Sequence, residues 1–318
     1  DHLQGLGNQS RIPHASLFIG PQGIGKRQFA ERFVKGLLCT STTPSGDACG
    51  TCTACQLLSA GTHPDLSFVE PEEQGKVIKV DHIREFTHTE TLTSQFGGYK
   101  IWIIDPADAM NTAAANALLK TLEEPTPSTL IILLTHKPGV LPATIRSRCQ
   151  AISFPTPPRE LVLQWLNGYG ERDWATLLSA SAGSPFKAME LADDEKFDER
   201  QQFLNNLFMV FSAKKDPIAQ AGQWTKCDLP LLLQWLSCVM LDLLRLSANT
   251  EQAELFNPDV RDRLKSISST KKPSEWHRLM QQMLNVQRAL EQQLNMQLQL
   301  ETLLLSLSAK TTQSIGVR

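Results

Sequence analysis

Apolar and polar residues are arranged in two different styles along this chain. In the first half, short unbroken apolar runs recur: Ala15–Gly20 (ASLFIG), Leu66–Val69, Lys100–Asp105 (KIWIID), Thr129–Thr135 (TLIILLT) and Ala151–Phe154. Continuous apolar runs of this length, rich in β-branched residues, predict strands buried on both faces. Between them, apolar residues fall at helical spacing over Lys26–Leu38, Val80–Leu92 and Thr112–Glu124, the last stopped by Pro125. Strands alternating with helices predict a mostly parallel sheet covered on both sides.

At Pro155–Pro158 (PTPP) the style changes, and this stretch reads as a linker. No strand-like run follows it. Short helices are predicted over Arg159–Asn167, Trp174–Ala182 and Pro185–Ala192. A charged stretch, Asp193–Arg200, then leads into Leu-rich helical patterns at Leu204–Phe211, Leu229–Leu246 and Met280–Leu307. The expected architecture is an α/β domain over 1–155, a small helical domain over 156–197 and an all-α domain over 198–318.

Composition narrows the class. With 318 residues, 41% hydrophobic and 20% charged, the chain is long enough for several folded domains and too apolar for a disordered one. Its formal net charge of −2 means that any DNA contact would come from a local patch. No run of about 18 apolar residues is present, so no membrane span is predicted. The sequence opens on Asp1 rather than Met, which leaves room for a preceding segment, and no secretion signal is legible.

The first strand runs into Gly20-Pro-Gln-Gly23-Ile-Gly25-Lys26-Arg27, a phosphate-binding loop of the form GxxxxGK without the final Ser or Thr. Its glycines let backbone N–H groups converge on phosphates, and Lys26 would reach the β- and γ-phosphates. The missing hydroxyl is the usual Mg²⁺ ligand, and an arginine has no acceptor with which to replace it. The loop is thus either inherited without nucleotide or a binder without turnover. Asp105 ends the third strand where a Mg²⁺-binding carboxylate would stand, or it accepts only local hydrogen bonds. The next residue, where an active ATPase needs a Glu to activate water, is Pro106, and Asp108 is expected to point elsewhere.

Cys39, Cys49, Cys52 and Cys55 crowd into a short insert. Four thiolates at this spacing suit a closed tetrahedral Zn²⁺ site, structural because no position stays open for substrate. The segment between the first two is rich in Ser, Thr, Pro and Gly and needs such a staple. Cys149, Cys227 and Cys238 lack metal spacing and read as small hydrophobes. Near the end of the α/β domain, Arg146 and Arg148 flank Ser147. From spacing alone they are either surface ion-pair partners or arginines presented to a neighbour's phosphate.

Taken together, these motifs resemble the bacterial DNA polymerase III clamp-loader subunits. The resemblance is carried by Gly20–Arg27, the cysteine module with Gly61–Asp65 (GTHPD) after it, Val80–Arg84, Asn116–Pro125 (NALLKTLEEP), Ser147-Arg148-Cys149 and Ala182–Pro185, so it covers roughly residues 12 to 190. It implies an AAA+ P-loop domain, a helical lid and an all-α collar, within a five-membered ring that loads the sliding clamp onto primed DNA in the bacterial cytoplasm. It implies partners among the motor subunits and the other members of that ring. It assigns Arg148 as an arginine finger acting in trans, Thr135 to the polar position ending the sensor strand, and the four cysteines to zinc. Position 27 lacks the hydroxyl, position 106 lacks the Glu, and the lid motif reads Gly183-Ser184-Pro185-Phe186 where a motor subunit carries Arg at its end. Zinc is therefore expected as a cofactor and hydrolysed ATP is not. The readings set against a non-hydrolysing stator are an active AAA+ motor and a zinc-dependent nucleic-acid adaptor. ATP turnover by the isolated chain marks the first and salt-sensitive DNA binding marks the second.

Overall fold

The structure is a computed structural model, and it describes residues 12–73, 76–90, 94–96, 98–126, 128–248, 253–292 and 294–308. It contains two compact units, Asp1–Pro157 and Pro158–Arg318, and the division falls in the proline-rich stretch of the sequence.

The first unit is built on five strands: β1 (Ala15–Ile19), β2 (Leu66–Val69), β3 (Lys100–Ile104), β4 (Thr129–Thr135) and β5 (Gln150–Ser153). They form one parallel sheet in the order β2-β3-β4-β1-β5. Successive side chains point to opposite faces. Ile101 and Ile103 with Leu130, Ile132 and Leu134 enter one core, whereas Trp102 and Ile104 with Ile131 and Leu133 enter the other. This is why β3 and β4 are buried along their whole length and read as unbroken apolar runs. Helices α1 (Lys26–Leu38) and α2 (Thr53–Ser59) contribute to the first core. Helices α3 (Val80–Glu90), α4 (Thr112–Glu123) and the single turn α5 (Ala143–Arg146) contribute to the second. The helix expected over Val80–Leu92 ends at Glu90, and residues 91 and 92 lie outside the described residues. Asn111 starts α4 by accepting the Ala114 N–H at 2.8 Å, and the chain leaves the helix at Glu124, just before Pro125.

The second unit is helical: α6 (Arg159–Leu166), α7 (Trp174–Ala180), α8 (Pro185–Leu191), α9 (Asp194–Phe211), α10 (Pro217–Trp224), α11 (Leu229–Ser247), α12 (Arg261–Ser268), α13 (Pro273–Glu291) and α14 (Met296–Leu307). One hydrophobic cluster runs through it, from Val162 to Leu307, with Trp174, Trp224, Trp235 and Trp276 all buried as packing residues. The amphipathic spacing over Trp276–Leu290 and Leu294–Leu307 predicts two helices, and α13 and α14 stand there, with Asn295 capping the second. The sequence reading differs here in two respects. The charged stretch 194–200 opens α9, capped by Asp193. Helices α10 and α12 were not foreseen, and α12 buries only Leu264 and Ser268. By length and composition α11 is apolar enough to cross a membrane, but half of that stretch is buried inside the unit, and Gln234, Asp242 and Arg245 interrupt it.

A buried polar knot ties α9 and α11 to the segment before α12. Arg200, only 1% exposed, donates to both carboxylate oxygens of Asp259 at 2.9 Å and to Asn257 at 2.8 Å. Asn257 in turn donates to Asp242, which also accepts the Phe256 and Asn257 backbone N–H groups. Burial alone would raise the Asp259 pKa, but the hydrogen bonds and charge of Arg200 outweigh it and hold the carboxyl below its ordinary value. Such a depressed carboxyl stabilises the fold above its unfolded pKa, and the contribution is lost as pH falls through the folded value. We therefore expect Arg200→Met to cost about 3 kcal/mol at neutral pH, because it leaves buried Asn257 and the largely covered Asp259 carboxylate without their charged partner. The gap to the wild type should narrow in acid. Urea unfolding at several pH values checks this; a loss that does not vary with pH would disprove the ion-pair account.

Candidate functional site

The ends of four neighbouring strands gather the polar residues. Gly20 follows β1, Glu70 follows β2, Asp105 follows β3 and Thr135 closes β4. In an open parallel sheet this carboxyl edge is where ligands bind. The strands are locked together there: Gly20 donates its N–H to the Thr135 carbonyl at 3.2 Å, and Asp105 donates its N–H to Val69 at 3.1 Å.

The loop between β1 and α1 has the phosphate-cradle shape. Gly25 caps α1 with φ of 101°, a left-handed conformation that strains any residue with a side chain. Gly20 lies so close to β5 that a Cβ there would sit 2.3 Å from the Phe154 carbonyl oxygen. Gly23 supplies a second left-handed turn. Lys26, 9% exposed, donates to the Gly20 carbonyl at 2.7 Å and to Pro21 at 2.6 Å. Burial lowers its pKa, against the opposing charges of Asp105 and Asp108.

Arg27 is the surprise of this site. Its guanidinium donates to Glu31 at 2.9 Å, to Glu70, and to Asp105 at 3.3 Å, and it lies over the Phe68 ring at 5.1 Å. Asp105 is thus engaged by an arginine 78 positions earlier in the chain. Burial raises the Asp105 pKa, and the charge of Arg27 works in the other direction. Asp108 turns onto the end of β4, where it accepts the Thr135 hydroxyl at 2.5 Å and the His136 N–H at 3.1 Å. The Thr135 oxygen also accepts the Lys137 N–H at 3.1 Å, so this residue does cap its strand. None of Glu31, Glu70 or the Asp108–Thr135 pair was identified from the sequence. Each belongs to this site only through tertiary structure.

The insert after α1 brings its four thiols together. All four sulfurs lie within 4.8 Å of one another, with Cys39–Cys52 and Cys49–Cys55 each at 3.9 Å. A tetrahedral site with metal–sulfur bonds of about 2.3 Å needs sulfurs about 3.8 Å apart, so the cluster can hold one metal ion. Backbone N–H groups point at the sulfurs: Ser41 and Cys49 at Cys39, Thr51 and Cys52 at Cys49, and Cys55 at Cys52. Such donors favour thiolate. A Thr40 side-chain hydrogen bond and the Cys55 N–H hold Cys52 down to about 5, whereas burial pushes Cys55 up to about 12. Arg32 of α1 fastens the loop by two bonds to Asp47, at 2.6 and 2.7 Å. The adjoining Gly61–Asp65 segment serves the fold. Buried Asp65 accepts Ser94 Oγ and the N–H groups of Gln95 and Phe96.

Arg148 stands apart from the phosphate loop. It follows α5, is exposed, and is held by Glu123 at 2.6 Å and the Thr144 carbonyl at 3.0 Å. Burial raises its neighbour Cys149 to about 11, as befits a packed thiol. In the second unit Ser184 caps α8, and Phe186 packs against Trp165 with ring centres 5.4 Å apart.

We expect Gly20→Ala to lower stability by about 1–3 kcal/mol, because the new methyl meets backbone that has nowhere to go. An unfolding midpoint equal to that of the wild type would show that the end of β5 yields freely.

Residues 1–158 match the family described as DNA polymerase III, delta subunit, and residues 194–309 match DNA polymerase III, delta subunit, C terminal. The chain is 39% identical over 260 residues to DNA polymerase III subunit delta′ of Pseudomonas aeruginosa, which covers 80% of this chain and 79% of the relative. It is 33% identical over 273 residues to the Escherichia coli delta′ subunit, covering 82% and 78%. It is also 36% identical to the Bacillus subtilis tau subunit, but over 152 residues, covering 48% of this chain and 26% of that one.

Proposed function

This chain belongs to the family of DNA polymerase III delta′ subunits, and we propose that it is the member of a clamp-loader ring that burns no ATP itself and lends Arg148 to its neighbour. The observation that carries this reading is the difference in what holds two arginines. Arg27 is bound by three carboxylates, those of Glu31, Glu70 and Asp105, at the end of the sheet, whereas Arg148 is exposed and held by one carboxylate, that of Glu123, and the Thr144 carbonyl.

In this reading the AAA+ domain spans 1–155, the lid 156–197 and the collar 198–318. The collar joins the other subunits, among them gamma or tau motor subunits and delta. The complex opens the sliding clamp and places it on primed DNA in the bacterial cytoplasm. A planar guanidinium can donate two hydrogen bonds to the charge that develops on a γ-phosphate, which in phosphoryl transfer is worth roughly 10³–10⁵ in rate. Holding Arg148 by one exposed ion pair makes its release cheap, since such pairs contribute at most about 1 kcal/mol. The chain's own site lacks the parts for turnover. Position 27 offers no hydroxyl, Pro106 stands where a base is needed, and Phe186 packs on Trp165 where a lid arginine would be free to reach out. The four-cysteine cluster takes Zn²⁺ as a structural ion, which can contribute on the order of 10 kcal/mol to ordering so small a module.

Arg148→Ala should leave the chain folded and inactive alone, as the wild type is. In a loader reconstituted with motor subunits it should lower steady-state ATP hydrolysis at the adjoining site by at least about tenfold. Turnover unchanged in the complete assembly would remove the arginine-finger role, and turnover by the isolated wild-type chain would make it a motor. For the cysteine module, elemental analysis should find one zinc per chain, lost in Cys49→Ser/Cys52→Ser together with protease resistance around residues 40–48. Substoichiometric zinc in protein purified without chelators would refute that assignment.

A further inference from the structure

In a phosphate loop of this form, the hydroxyl after the lysine and the carboxylate at the end of the third strand share one Mg²⁺ ion, which bridges the nucleotide phosphates. The corresponding positions here are 27 and 105, and they do not fit that ion. They touch each other directly: the Arg27 guanidinium lies 3.3 Å from the Asp105 carboxylate and is drawn further in by Glu31 and Glu70. A side chain that carries a positive charge and has no acceptor cannot share Asp105 with a divalent cation.

We propose that Arg27 is a resident cation that occupies the place of the magnesium ion and so closes an otherwise intact phosphate cradle to magnesium nucleotide. The rest of the cradle is present. The left-handed glycines are in place, Lys26 is aimed along the loop, and α1 starts directly behind it. The charges explain why metal-free nucleotide does not slip in instead. Arg27 and Lys26 face four carboxylates, those of Glu31, Glu70, Asp105 and Asp108, of which the last two act on Lys26. A polyphosphate entering without a metal therefore meets a surplus of negative charge. Entering with a metal, it must first expel a guanidinium that three carboxylates hold.

The same geometry says what restores binding. Replacing Arg27 by serine supplies the missing hydroxyl, frees Asp105 and leaves Glu70 and Glu31 near a vacated cation position. The Arg27 side chain is about two-fifths exposed, and its contacts with Glu31, Glu70, Asp105 and the Phe68 ring are all to side chains, so the change is addressed to the cation and its carboxylates.

The test is calorimetric titration of the full chain with ATPγS, with Mg²⁺ and with EDTA. The wild type should show no saturation up to about 1 mM, and Arg27→Ser should bind at least about thirtyfold more tightly, with Mg²⁺ only. Lys26→Ala in the Arg27→Ser background should abolish that gain. Arg27→Gln is shorter, stays unbranched and polar, removes the charge and offers an amide oxygen as acceptor. It should show weaker, still Mg²⁺-dependent binding, and it carries the test if Arg27→Ser does not fold. Wild-type binding as tight as that of the variants, or folded variants that bind no better than the wild type, would overturn the proposal. This inference rests on the reading of the chain as a subunit without its own turnover, yet the two fail separately. The variants should bind without hydrolysing, since Pro106 and Phe186 remain, so nucleotide binding tests Arg27 while hydrolysis by the wild-type chain tests the stator reading.

Discussion

A parallel sheet buried on both faces admits polar side chains only at the ends of its strands. In this chain that constraint organises the first unit. With β3 and β4 apolar along their length, Asp105 and Thr135 are displaced to the carboxyl edge, where Gly20 and Glu70 arrive from the strands on either side. Charges that meet there do so in a shallow, partly dry setting, where each must find a partner or lose its solvation. Arg27 meets that demand for Asp105, and Thr135 meets it for Asp108. The edge that would serve a nucleotide is thus satisfied by the chain itself.

The sequence was most readable where local pattern and tertiary role coincide. The five apolar runs became the five strands within a residue or so; burial on both faces leaves no other composition for β3 and β4, whereas the edge strands β2 and β5 are only partly covered. The cysteine spacing and the phosphate loop were legible because ligand geometry and backbone conformation are encoded within a few neighbouring residues. The helical half was less so. The charge of the segment 194–200 hid a helix whose Arg200 is buried by a partner 59 positions later. Polar α12 offers only Leu264 and Ile267 to the core, too few apolar residues to announce a helix.

The site divides along the same line. That positions 27, 106 and 186 depart from the residue types of a hydrolysing phosphate-loop protein was legible in the sequence. What stands in their place could not be read, because Glu70 is 43 residues from Arg27 and Asp105 is 78. Glu123 as the anchor of Arg148 was hidden in the same way, at the end of a helix whose apolar face alone was predictable.

The position of β1 has a consequence for how the protein is made. Its partners on the two sides are β4 and β5, so Ala15 pairs with Ile131 and Ser16 with Gln150. Non-local pairings of this kind carry a large loop-closure cost and fold late. During synthesis the apolar strand Ala15–Ile19 emerges early and has no ladder to join until more than a hundred further residues have followed. The strand that anchors the phosphate loop is thus made well before both of its partners, and in the interval its apolar side chains need shelter from neighbouring chains.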